Sequence, residues 1–146
     1  MQELHNHLYI VQATLFHLFQ KTWVYHWNVV GSDFYQLHSL FSDQYTAMED
    51  EIDRIAEHIR AYEVKALGPL QQIIEVSELE DVDMTATSMQ MVSILLADNI
   101  KLKELLKEAS DIADNYNQPH TSNMLQEMME QHSKFAWMLR SMLKTV

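Results

Sequence analysis

The chain has 146 residues, 2 Gly, 2 Pro, no Cys and a formal net charge of −11 with histidine neutral. That length suits one domain with a sizeable core, and the missing cysteines exclude disulfide frameworks, thiolate zinc sites and cysteine nucleophiles. Scarce Gly and Pro beside plentiful Leu, Met, Ala, Glu and Gln favour helices, while the acidic balance disfavours nonspecific contact with phosphate backbones and attracts cations.

In chain order, the first predicted element carries Leu4, Leu8, Val11, Leu15, Leu18, Thr22, Tyr25 and Val29 at alternating steps of four and three, one face of a helix. Gly31 breaks the pattern, and Ser32 or Asp33 is placed to cap a second helix. That helix carries Leu37, Phe41, Met48, Ile52, Ile55, Ile59 and Tyr62, and Gly68-Pro69 is its expected stop. Leu70 to Asp83 is mixed, with QQIIEV compatible with a short helix in a long connection. Thr87 and Gln90 have the spacing of a capping box ahead of a third stripe, Val92, Leu95, Leu102, Leu106, Ala109 and Ala113. Asn115 to Gln118 read as a polar turn, and Pro119 suits the first turn of a fourth helix with Leu125, Met128, His132, Phe135, Leu139 and Met142.

Four long stripes, two short connections and one long one predict an all-α, ferritin-like four-helix bundle whose crossover joins the second and third helices, a single domain over 1–146. The ten Met fall mostly on or beside the stripes and read as core filler. The opening MQELHNHLYIVQ lacks the basic start and apolar run of a signal peptide, and no apolar run approaches the roughly 20 residues of a membrane span. A cytoplasmic protein is expected.

The chemistry centres on four residues. His26 and His38 flank Gly31 at similar heights in a helical hairpin, within about one turn, so both imidazoles could approach one point. Asp53 and Glu57, at i and i+4, put two carboxylates on one helix face. Fifteen residues of continuous helix span about 22 Å, so His38 and Asp53 of one chain cannot share an ion. Two antiparallel copies crossing near the midpoint of 38 and 53 would bring His38 of one beside Asp53 of the other, twice per dimer. Mixed nitrogen and oxygen ligation suits ferrous iron, with zinc, manganese and cobalt as alternatives. A solvated acidic surface is the plainer reading of each carboxylate alone.

The run HWNVVGSDFYQLHSLF, His26 to Phe41, resembles the signature of the Dps family of miniferritins; EIDRIAEHIRA, Glu51 to Ala61, and HSKFAWMLRS, from His132, are similar to two further motifs of that family. The resemblance runs through nearly the whole chain. It implies a dodecameric shell that oxidises iron (Fe2+ to Fe3+) with hydrogen peroxide or dioxygen and stores a ferric mineral, protecting against oxidative damage. It assigns the centre to His26 and His38 of one subunit and to Asp53 and Glu57 of the facing one. Trp27, beside a ligand, reads as a packed interface residue with radical scavenging as the alternative.

Three positions depart from the pattern. Ser42 stands where the family commonly has Asp, and a hydroxyl is a weak iron ligand; Asp43 lies about 100° further round the helix and replaces it poorly. His58 replaces an Arg. His120 stands where an acidic residue often precedes the Thr of the last helix, which weakens cation funnelling through pores or makes it pH-sensitive; Asp111, Asp114 and Glu127 are the remaining pore candidates, with solvated surface as the alternative. DNA binding is not expected, since neither end offers a Lys-rich arm. No Glu stands three residues before a His, which counts against an iron pair inside one bundle, and His132 reads as a buried structural histidine. The competing function is a noncatalytic metal-binding shell with a weakened centre; a bundle without metal is the remaining reading.

Overall fold

A computed structural model of the chain describes residues 1–144. The elements are α1 (Gln2–Asn28), α2 (Phe34–Ala61), α3 (Leu70–Val76), α4 (Ser88–Asn115) and α5 (Pro119–Leu143), and no strand occurs among the described residues. The four long helices form the bundle, with α4 packed along α5 and α1 along both α2 and α4. All the stripe residues predicted for α1 are buried, as are Leu37, Phe41, Met48, Ile55 and Ile59 of α2. Burying these side chains is the main favourable term in folding, at about 1.5–3 kcal/mol each before entropy is counted.

The helix ends follow local chemistry. Thr87 and Gln90 form the expected reciprocal capping box. Pro119 opens α5, and Asn117 takes a positive φ of 56° in the preceding turn, a conformation its short polar side chain tolerates. Gly31 has a φ of 112° in the α1–α2 turn, and a Cβ there would meet nothing within 4 Å, so the backbone angle and not space requires glycine. The stop of α2 differs from expectation. The helix ends at Ala61, with the last stripe residue Tyr62 as its C-cap, well before Gly68-Pro69. Glu63 adopts a left-handed φ of 64° and donates its N–H to Arg60 O at 2.9 Å, closing the last turn.

The crossover from 62 to 87 is fixed by a buried polar face of α1. Tyr9 Oη donates to Lys65 O, and Gln12 exchanges two hydrogen bonds with the backbone of Leu67. Thr14 Oγ1 accepts from Glu78 N, His17 Nδ1 bonds Ser77 Oγ at 2.8 Å, Lys21 Nζ donates to Glu80 O at 2.9 Å and Tyr25 Oη donates to Asp83 O. Apart from the neighbours Ser77 and Glu78, partners rise in number along both segments, so the crossover runs beside α1 in the same direction. This is why α4 starts at the far end and returns antiparallel to α1. Lys21, 1% exposed, also forms a 2.7 Å salt bridge to Asp98 of α4. Burial pushes the Asp98 carboxyl above its usual range against the opposing pull of Lys21. Burial, and then the Lys21 charge, hold His17 below the usual imidazole range.

His132, 0% exposed, lies on the inner stripe of α5 as the sequence suggested. Asn99 Nδ2 donates to Leu95 O, which leaves Asn99 Oδ1 to accept from His132 Nδ1–H at 2.7 Å. His132 Nε2 then meets Glu51 Oε1 at 2.8 Å, with one proton between them. The sequence did not signal this pairing of α2, α4 and α5.

Candidate metal centre

The α1–α2 turn brings His26 and His38 together. Their rings stack with centroids 3.8 Å apart and planes 14° apart. Each donates through Nδ1 to the other's backbone carbonyl, both at 2.7 Å. His26 O belongs to the last turn of α1, where carbonyls have no intrahelical partner, so His38 caps that helix. A carbonyl only accepts, which places the hydrogen of each neutral ring on Nδ1 and the lone pair on Nε2. Among the described residues neither Nε2 has a hydrogen-bond partner. Backbone bonds of this kind are how ligating imidazoles are oriented toward a metal.

Asp53 and Glu57 are exposed on α2. Hydrogen bonding with Asp53, and then its negative charge, push the Glu57 carboxyl above its usual range. Two carboxylates so placed repel each other, which favours a proton or a cation between them. An expected result follows: in Asp53→Asn, Glu57 titrates at lower pH, read from carboxyl 13C shifts, and an unmoved Glu57 would mean the two groups do not interact.

These two pairs do not meet within one chain. α2 is continuous from Phe34 to Ala61, so the separation of about 22 Å holds. Among the described residues no cluster of three or more His, Asp or Glu is close enough to hold an ion. At 100° per residue, His38, Tyr45, Asp53 and Glu57 fall within about 120° of the helix circumference, on one side of α2. Ser42 is half-buried one turn beyond His38, and Asp43 is exposed.

Tyr45 was missed from the sequence. Its ring lies 5.3 Å from His26 and 5.8 Å from Trp23, while Trp23 and Trp27 lie 4.8 Å apart. The available signal was the spacing of Phe16, Phe19, Trp23 and Trp27, an aromatic stripe off the core face of α1. Trp27 is 55% and Trp23 37% exposed, and Leu70 and Ile74 of α3 extend this uncovered apolar surface. Of the pore candidates, Asp111, Asp114 and Glu127 are all exposed, and Glu127 pairs with Arg54 at 2.6 Å.

A family model described as a ferritin-like domain matches residues 5–146. The chain is 33% identical over 126 residues to DNA protection during starvation protein 2 of Bacillus anthracis, covering 86% of each. The solved Dps protein from Bacillus brevis is similar with a TM-score of 0.95 and 29% identity, over 98% of this chain and 96% of that one. Dps from Staphylococcus aureus gives 0.96 and 27%, over 100% and 98%.

Proposed function

The chain belongs to the Dps family of ferritin-like proteins, and from that premise we propose that it oxidises ferrous iron at centres shared between two copies and stores the ferric product inside a homo-oligomeric shell, a dodecamer as the sequence resemblance implies. Iron storage and protection are the family's general role; the shared centre is the specific reading. The observation that carries it is the stacked His26–His38 pair with both Nε2 atoms bare, on the same side of one straight helix as Asp53 and Glu57. Two antiparallel α2 helices meeting near Tyr45 would complete the centre. The exposed aromatic and aliphatic surface of α1 and α3 is of the kind that oligomers cover.

In this reading ferrous iron, the substrate, is held at adjacent positions, one at Nε2 of His26 and one at Nε2 of His38, together with the partner's carboxylates. The backbone bonds at Nδ1 hold both rings in the ligating tautomer without rearrangement. Carboxylate oxygens stabilise the harder ferric product more than the ferrous substrate, which lowers the cost of oxidation. Peroxide or dioxygen accepts the electrons. Protection then operates through iron and peroxide rather than through DNA, which a net charge of −11 repels. Among the described residues no helix is long and apolar enough to cross a membrane. A cytoplasmic location is part of this proposal.

Ser42 favours the second reading, a shell that binds metal and oxidises it slowly. Metal-free protein loaded anaerobically with ferrous iron and then given peroxide separates the two. Ferric absorbance rising well ahead of a protein-free control, in a soluble particle, supports the enzyme; a rate equal to the control, from an intact oligomer, supports the shell. Ser42→Asp is expected to tighten the second iron position, seen as a higher ferrous stoichiometry in anaerobic titration. Unchanged stoichiometry would make Ser42 irrelevant to binding.

A further inference from the structure

Two histidines that depart from the family pattern, His58 and His120, meet at the end of the bundle where α2 stops and α5 begins. Their ring centroids are 5.8 Å apart and the planes are at 63°. Two imidazoles on one ion, each nitrogen about 2.1 Å from it, put ring centres about 5–6 Å apart.

A chain of hydrogen bonds fixes which nitrogen of His58 is available. Gln118 Nε2 donates to Tyr116 O, so Gln118 Oε1 is the atom that faces Tyr62 and accepts from its hydroxyl at 3.2 Å. The Tyr62 oxygen accepts from the Thr121 hydroxyl at 2.5 Å. Thr121 Oγ1 in turn accepts from His58 Nε2–H at 2.8 Å. Neutral His58 therefore carries its hydrogen on Nε2 and its lone pair on Nδ1. His120 is exposed and, among the described residues, makes no side-chain hydrogen bond that an ion would have to break. Arg54 is the nearby cation, and Glu127 neutralises it at 2.6 Å.

We propose that His58 Nδ1 and a ring nitrogen of His120 form a second binding site, for a divalent transition-metal ion, with water completing the coordination. The site is separate from the iron centre. His58 stands about 100° round α2 from Glu57 and is tied to Thr121 of α5, and the site needs no second copy of the chain. Neutral nitrogen donors without a carboxylate select zinc, nickel or copper over magnesium and calcium. Bound metal would pin the last turn of α2 to the first turn of α5.

The test is a zinc titration followed by calorimetry at neutral pH on the intact, metal-free oligomer, comparing the parent with His120→Ala and His58→Gln. The glutamine amide can still donate to Thr121 Oγ1 but offers nothing at the Nδ1 position, and His120→Ala removes an exposed side chain, so both variants keep the fold. Beyond any zinc taken up at the iron centre, one zinc per chain is expected in the parent, bound at least about tenfold more weakly in each variant, since even partners beyond the ligand shell are worth that much. His38→Ala should retain it. Parental zinc stoichiometry and affinity in both variants would overturn the site, and loss in only one of them would overturn the pairing.

Discussion

His38→Ala and Asp53→Ala should each slow peroxide-driven iron oxidation by roughly 10- to 100-fold or more, because loss of even an outer-shell partner costs that much. Both residues are outside the fully buried core, so the oligomer should persist. Mixing the two variants is the sharper experiment. In a centre shared across a two-fold axis, a mixed dimer has one site lacking both residues and one site with both intact. Random re-pairing of equal amounts makes half the dimers mixed, so the mixture should recover about one quarter of the parental rate. A centre built within one chain would recover nothing, and that outcome would sink the proposed geometry.

Lys21→Met should be the most damaging substitution for stability. It removes the partner of a buried carboxylate and the donor to Glu80 O together. Breaking a buried ion pair from one side costs about 3–5 kcal/mol, which lowers the melting midpoint by roughly 10 °C for a domain of this size. The pH dependence tests the cause. Asp98 already titrates above its usual range because it is buried, so its contribution to stability is full below the unfolded pKa and declines as pH rises through the folded one. Without Lys21 the folded pKa moves higher still, and the loss relative to the parent grows with pH across that window. Thermal unfolding from about pH 4 to pH 7 should show the two proteins converging at the acid end. A deficit independent of pH would assign the effect to packing alone.

The aromatic cluster beside His26 has a bearing on both experiments. Trp23, Trp27 and Tyr45 are close enough for their fluorescence to report on metal at the histidine pair, and they lie on the surface that a partner would cover. Tyr45 escaped notice because it belongs to neither an apolar stripe nor a motif. Its position matters only once the turn at Gly31 has folded α2 back along α1.

The sequence by itself determined the four long helices, because apolar periodicity and caps are local: the alternating steps of α1, the Thr87–Gln90 box and Pro119 all sit within a few residues of what they specify. It also determined the candidate ligands. Their spacing around Gly31, and the length of helix between His38 and Asp53, already separated the two pairs. Only the tertiary structure decided the course of the crossover, since the partners of the polar face of α1 lie 55 to 64 residues later in the chain. No local pattern records such a pairing. The tertiary structure likewise ended α2 at Ala61, because Tyr9 and Gln12 of α1 hold the backbone of Lys65 and Leu67 in the crossover. It fixed the ring nitrogens of His26, His38 and His58 through carbonyl and hydroxyl partners contributed by other segments. Protonation and tautomer depend on what each atom touches, and contacts across the bundle exist only after it has closed.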